Sequence, residues 1–311
     1  MKDRKSPADR ITASIIEQLE QGVRPWTKPW ASKAGGSVAL PLRANGEPYQ
    51  GINVVMLWLR GATEGYSGSR WMTYRQAAAL GGQVRAGEKS TLVVYYGQSQ
   101  AKGEPDPSAG DADARSFRFL KGYPVFNVEQ IDGLDAEFYP TPVPAQEPDA
   151  AAEQARIASV EEFIAATGAQ ISWSGDQAYY APGPDHIRLP ERHLFRDIEQ
   201  AYATAAHELI HWTGAKHRQD RTFGSKFGDP AYAREELVAE LGSAFLGAHL
   251  GLRPDHIEDH AAYLDHWLKV LRTDSRAILR AASQAQAATD YLLAIAGRAV
   301  APVTEDLAEA A

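Results

Sequence analysis

The stretch that decides the fold runs from Asp197 to Gly214 and reads DIEQAYATAAHELIHWTG. Its central part is rich in alanine, leucine and isoleucine, which predicts a helix that is mostly buried. Because residues four apart share one face of a helix, His207 and His211 project from the same side. Two imidazoles at this spacing can bind one metal ion, so the stretch predicts a metal-binding helix.

Glu208 lies between the two histidines and completes the sequence His-Glu-Leu-Ile-His. At this position a carboxylate points towards the open coordination position, where it can act as general base on the attacking water. The alternative is a chance match on a surface helix, but burying two histidines and a glutamate without a partner would be costly. The residues therefore favour a metal site of the zincin type with Glu208 as its catalytic residue.

The third metal ligand is expected on another helix, because a catalytic zinc usually has three protein ligands and one open position. Glu236 and Glu240 lie one turn apart in a later apolar helix and resemble the gluzincin arrangement. By that resemblance Glu236 binds the metal, and Glu240 holds the free ring nitrogen of His207 or His211. Glu235 is the competing ligand. Zinc is the expected ion, although a His2Glu site can also hold manganese or another divalent ion.

A predicted strand region, Tyr179–Leu189, precedes the metal-binding helix. In zincins an edge strand at this place aligns an extended peptide beside the metal. Tyr202, His217 and Tyr263 are candidates for an oxyanion donor. The alternative for each of them is an ordinary structural hydrogen bond.

The composition limits the classes of protein to which the chain can belong. The 311 residues are 44% hydrophobic and 23% charged, as in a soluble globular protein. There is no cysteine, no apolar run long enough for a membrane span, and no apolar segment behind the charged N-terminus that could form a secretory signal. We therefore expect a cytoplasmic protein without membrane contact.

Charge and residue usage divide the chain into two halves. Up to Gln130 there are 17 Lys and Arg against 12 Asp and Glu, and beyond it 15 against 28. All nine histidines lie between His186 and His266, whereas four of the seven tryptophans precede Thr73. A basic front half indicates a polyanionic partner, with an unevenly charged solvated surface as the alternative.

The predicted fold class is α+β. A small α+β domain at 1–132 is followed by a linker rich in proline and alanine at 133–152 and by a mostly helical domain with a small sheet at 153–311. The expected helices are Pro7–Gln21, Asn53–Leu59, one from Thr73 to Gly81, Ala152–Thr167, Asp197–Gly214, Tyr232–Leu250, Ile257–Thr273 and Ser275–Ala296. The expected strands are Trp71–Met72, Thr91–Tyr96, Phe117–Val128, Ala169–Ser174, Ala178–Ala181 and His186–Leu189, with a loop at Ser99–Ala114 that can join a hairpin.

The front half interleaves cations with aromatic side chains. Single-stranded nucleic acid is bound by this combination, because cations pair with phosphates and aromatic faces stack on bases. Signatures of sequence-specific duplex readers are absent. The alternative is that the tryptophans fill the core of a small domain. The candidate nucleic-acid contacts are Arg24, Trp26, Lys28, Trp30, Arg70, Trp71, Tyr74 and Arg75.

A set of short segments, specific in combination, extends over nearly the whole chain. These segments are Gly22–Trp26, Lys28–Trp30, Tyr49–Asn53, Trp71–Tyr74, Arg85–Lys89, Tyr123–Asn127, His207–Gly214, Glu235–Phe245 and the helices around Trp267 and Asp274. By them the chain resembles the plasmid-borne ArdC-type antirestriction proteins. The resemblance runs from about Ser6 to Leu293.

This resemblance implies an N-terminal domain that binds single-stranded DNA, a kind shared with some plasmid primases, and a C-terminal zincin-like metallopeptidase domain. It also implies protection of incoming plasmid DNA from host restriction, and its motifs add Asn53 and Lys89 to the candidate DNA contacts. A host restriction enzyme or a peptide substrate is a further possible partner.

Two alternatives remain open. The chain can be a cytosolic zinc metalloprotease whose front domain recognises a protein substrate. Its metal can also be structural only, and antirestriction need not use hydrolysis.

Overall fold

The computed structural model describes residues 5–26, 39–100, 116–140, 149–224, 229–252 and 261–298. Helices dominate these residues, and the strands form small sheets, which confirms the α+β fold class. The helices are α1 Pro7–Glu20, α2 Ile52–Glu64, α3 Tyr74–Ala79, α4 Ala150–Ala166, α5 Ile198–Thr213, α6 Pro230–Leu250, α7 Ala261–Thr273 and α8 Ala277–Ile295. The strands are β1 Trp71–Met72, β2 Gln83–Val84, β3 Thr91–Gln100, β4 Ser116–Asn127, β5 Ile131–Asp132, β6 Gln170–Trp173, β7 Tyr179–Ala181 and β8 His186–Leu189.

The front half is built on an antiparallel hairpin. Strands β3 and β4 pair from Thr91 opposite Val125 to Gln100 opposite Ser116, and β1 adds to the other edge of β4. The predicted hairpin is confirmed, but Ser99 and Gln100 belong to β3 and not to the loop. The rest of that predicted loop lies outside the described residues.

The back half places a three-stranded sheet against the helix of the histidines. Strand β8 lies in the middle, parallel to β6 and antiparallel to β7, so β7 is an edge strand. Helix α5 packs against β7 and β8 of this sheet and against α6. Gly242 of α6 lies where a Cβ atom would be only 2.8 Å from Cδ1 of Ile210, so the glycine permits the close approach of these two helices.

One apolar core joins the two halves. It contains Ile15 and Val55 from the front half and Leu209, Phe245 and Leu292 from the back half. Polar contacts follow the same packing: the Thr12 hydroxyl of α1 donates to the carbonyl oxygen of Ser275 at 2.6 Å. The two halves therefore share much of their buried surface.

The predicted linker is only partly described. Helix α4 begins at Ala150, with Asp149 as its N-cap, two residues before the predicted start at Ala152. Residues 141–148, which carry most of the prolines of this stretch, lie outside the described residues. The division into 1–132 and 153–311 stays a prediction. None of the described helices is long and apolar enough to cross a membrane.

The shared core predicts that a cavity in α1 destabilises the whole chain. Replacement of the fully buried Ile15 by Ala should lower the free energy of unfolding by about 2–4 kcal/mol, because it removes apolar contacts and leaves a cavity. Ile295→Ala, on an exposed position of α8, is the matched control and should change it by about 0.5 kcal/mol or less. Urea unfolding followed by circular dichroism measures both. A separate early transition of the front half in Ile15→Ala would contradict the shared core.

Candidate metal centre

Helices α5 and α6 bring two histidines and one carboxylate together. The Nε2 atom of His207 lies 3.6 Å from Oε2 of Glu236, and Nε2 of His211 lies 3.7 Å from Oε1 of the same carboxylate. Ligand atoms of these three residues all lie within 4.8 Å of one another. The structure therefore brings together the three residues that the sequence predicted as metal ligands.

The local sequence explains where helices α5 and α6 begin. Asp197 caps the first turn of α5 by accepting from the Gln200 amide at 2.9 Å. Asp229 caps α6 in the same way, and Pro230 occupies the first helical position, where its fixed φ is favourable. The caps fix where each helix starts and so set which turns of α5 and α6 face each other.

Glu235 holds the second ring nitrogen of His211. Its Oε1 atom lies 3.2 Å from Nδ1 of the ring, while the Arg221 guanidinium donates to both oxygens of the same carboxylate at 2.9 and 3.1 Å. Arg221 also donates to the carbonyl of Ile210 and the hydroxyl of Thr213. The competing ligand of the sequence analysis thus orients a histidine, and Arg221 is a contributor that the sequence analysis missed.

Opposite charges within the cluster shift the pKa values of its members. Burial alone would lower the pKa of His207, but its hydrogen bond with Glu236 and the charges of Glu208, Glu236 and Glu240 raise it to about 9. Burial alone would raise the pKa of Glu236, yet its hydrogen bonds and the two nearby imidazoles bring it down to about 2. These shifts favour a protonated His207 beside an ionised Glu236, a form that competes with metal binding.

Glu240 lies one turn beyond Glu236 and has partners from the front half. Its Oε2 atom accepts from the indole N–H of Trp26 at 3.3 Å and lies 4.0 Å from the Arg24 guanidinium. The nitrogen Nδ1 of His211, one of the two predicted targets of Glu240, is held by Glu235. A role of Glu240 at the other target, His207, stays a prediction.

Two adjoining clefts open onto the group of His207, His211 and Glu236. They have volumes of about 320 and 460 Å³, and both are lined by Tyr179, His207 and Glu208. The edge strand β7 borders them, as predicted for a strand that aligns an extended chain. Glu208 is buried and lines both clefts.

The oxyanion candidates from the sequence lie elsewhere. The Tyr202 hydroxyl donates to Glu161 at 2.5 Å, and His217 is exposed beside Asp185. The side chain of Tyr263 lies outside the described residues. Tyr232 lines the smaller cleft instead and hydrogen-bonds Glu236, and no pattern in the sequence marks it as a neighbour of the site.

Three of the predicted nucleic-acid contacts are buried, and the structure corrects them. Trp26 is 0% exposed and meets Trp267 edge-on, with ring centroids 5.6 Å apart, so it has no free face for a base. Trp71 is buried against Tyr66. Asn53 uses its amide group to hold the backbone of Val94, donating and accepting at 2.8 Å. These residue types fit both a nucleic-acid surface and a protein core, and packing places all three in the core.

The remaining predicted contacts divide into exposed and half-buried groups. Tyr74 is 48% exposed, and Arg75 and Lys89 are exposed as well. Arg70 is half-buried, with its guanidinium 5.0 Å from the centre of the Phe138 ring, and Arg24 is largely covered beside Glu240. Lys28 and Trp30 lie outside the described residues.

Comparison with known families gives two matches along the chain. Residues 5–126 match the N-terminal domain of anti-restriction factor ArdC, and residues 158–284 match a zincin-like metallopeptidase family.

Solved structures and curated sequences agree with these matches. The metal-free crystal structure of antirestriction ArdC protein from the R388 plasmid is 43% identical, with a TM-score of 0.76 over 93% of this chain and 97% of that one. Its Mn(II)-bound structure gives 42% identity and the same TM-score over 94% and 98%. An uncharacterized protein, y4eC, of Sinorhizobium fredii is 40% identical over 91% of this chain and 90% of its own length. A DNA primase TraC of Escherichia coli is 38% identical over 94% of this chain, which spans only 20% of the primase. The chain therefore belongs to the ArdC-type antirestriction family.

Proposed function

We propose that this protein binds single-stranded DNA through its front half, protects incoming DNA from restriction, and holds a divalent metal ion at His207, His211 and Glu236. The convergence of these three side chains carries the metal part of the proposal. The DNA part is supported by the match to the ArdC N-terminal domain and by the likeness to a DNA primase.

The donor set fits a divalent ion. Two donors around a tetrahedral metal at zinc-like bond lengths lie about 3.4 Å apart. Both Nε2–carboxylate distances, 3.6 and 3.7 Å, are close to that value. The second nitrogen of His211 is held by Glu235, the arrangement that orients a metal-binding imidazole. A Mn(II)-bound relative supports manganese beside zinc as a candidate ion.

The clefts favour a peptide over a phosphodiester as the ligand of this centre. Among the described residues that line them, none is Lys or Arg, while Asp176, Glu208, Glu235 and Glu236 are acidic. Such a surface repels phosphates, and the edge of β7 offers backbone groups to an extended chain. A bound divalent ion would supply Lewis acidity and an activated water. We infer that Glu208 takes the proton of this water, while Tyr232 supports the Glu236 carboxylate through its hydrogen bond.

The clefts beside β7 also fit a second function, that of a metallopeptidase acting on a protein. The two functions differ in what Glu208 is needed for. DNA coating by the front half does not use a general base, whereas peptide hydrolysis does.

The DNA-binding surface of the described front half is proposed at Tyr74, Arg75 and Lys89, which combine an exposed aromatic ring with exposed cations. Lys28 and Trp30 belong to the same proposal on sequence grounds. Trp26, Trp71 and Asn53 are left out of it because they are buried.

Metal analysis separates ligands from residues that orient them. His207→Ala, His211→Ala and Glu236→Ala should abolish stoichiometric Mn(II) or Zn(II) binding. Glu235→Gln should retain the ion with affinity reduced about 10- to 100-fold, as for other residues that orient ligands. Elemental analysis and isothermal titration measure both effects. Full metal content in Glu236→Ala would assign the third ligand elsewhere.

DNA titration tests the front surface. Arg75→Ala and Lys89→Ala should each weaken binding of a labelled single strand and reduce the slope of log affinity against log salt by about 0.7, the value for one lost phosphate contact. Lys216→Ala, an exposed lysine of the back half, is the matched control and should leave both quantities unchanged. Binding without salt dependence in the wild type would exclude phosphate-driven recognition.

A restriction-protection assay decides between coating and hydrolysis. Glu208→Gln keeps the size of the side chain and the three proposed metal ligands but removes the general base. If DNA binding protects, this variant should protect transferred DNA as well as the wild type does. Loss of protection with unchanged metal content and DNA affinity would favour the metallopeptidase function.

A further inference from the structure

We propose that Trp26 is a positioning residue of the metal centre, through which the packing of the front half sets the affinity of the back half for its ion. The inference rests on the proposed metal site at His207, His211 and Glu236. It assigns a role to a residue whose sequence context pointed to DNA.

Glu240 needs partners because it is a buried carboxylate. Its side chain is 1% exposed, so it has lost nearly all of its hydration. Two of its partners come from the segment that follows α1: the Trp26 indole N–H at 3.3 Å and the Arg24 guanidinium at 4.0 Å. The front half therefore supplies donors to a charge inside the back half.

Glu240 is close to Glu236, one of the three proposed metal ligands. It lies four residues after Glu236, hence on the same face of α6. Its carboxylate is therefore one helical turn from the proposed ligand Glu236, and a change in its position changes the electrostatic field at that ligand.

A second tryptophan ties the same segment to the start of α6. Trp26 contacts Trp267 of α7 edge-on, and the Trp267 indole donates to the carbonyl oxygen of Ala233 at 3.1 Å. Ala233 is three residues before Glu236. Trp26 thus contacts α6 directly at Glu240 and indirectly at Ala233, on either side of the proposed ligand.

Trp26→Phe in the full-length chain tests the proposal, because it removes the indole donor and keeps an aromatic ring beside Trp267. Trp58→Phe is the matched control: Trp58 is also buried and also packs on α6, against Phe245, but its indole donates to the carbonyl of Ala39. The probe is Mn(II) alone, titrated while electron paramagnetic resonance follows the free ion. We expect the dissociation constant to rise roughly tenfold in Trp26→Phe, at the lower end of the range for residues that support metal ligands, and about twofold or less in Trp58→Phe.

A double-mutant cycle shows whether the effect passes through Glu240. In a Glu240→Gln background, Trp26→Phe should change the dissociation constant by much less than tenfold, because the two side chains act as one unit. Additive effects, wild-type affinity in Trp26→Phe, or equal losses in Trp26→Phe and Trp58→Phe would each overturn the inference. If the wild type itself binds no Mn(II), the proposed metal site fails as well, and His207→Ala marks that baseline.

Discussion

The close contact between α5 and α6 is the constraint on which the rest of the structure depends. It places two imidazoles and several carboxylates in a volume from which most water is excluded, and buried charges are tolerated only when they are paired. The pairs are specific: His207 and His211 face Glu236, and Arg221 neutralises Glu235. Gly242 supplies the space that lets the two helices approach. The same two helices therefore provide both the charged cluster and the close packing that buries it.

The front half also contributes to the surroundings of this cluster. The indole N–H of Trp26 donates to Glu240 of α6, and the smaller cleft beside β7 is lined by His207, His211 and Glu236. A continuous apolar core connects α1 and α2 to α7 and α8. In the described residues, the part that matches the ArdC N-terminal domain and the part that matches the zincin-like family pack around one apolar core.

The sequence predicted those features that depend on local spacing. His207, Glu208 and His211 follow from helical periodicity, and the resemblance to the gluzincin arrangement points to Glu236. The roles of Arg221 and Tyr232 were not predictable, because no periodic signal marks a loop arginine or a first-turn tyrosine as a neighbour of the site. Trp26 shows the limit most clearly. Tryptophan among cations fits both a base-stacking surface and a buried anchor, and only its partner Glu240, 214 residues away, distinguishes them.

A divalent ion held by α5 and α6 between His207, His211 and Glu236 can be located by anomalous diffraction from crystals of the full-length protein grown with Mn(II). We expect a single strong anomalous peak within bonding distance of both Nε2 atoms and of the Glu236 carboxylate, with Glu235 remaining on Nδ1 of His211. A peak bound by Glu235 in place of Glu236, or manganese located only outside this cluster, would contradict it.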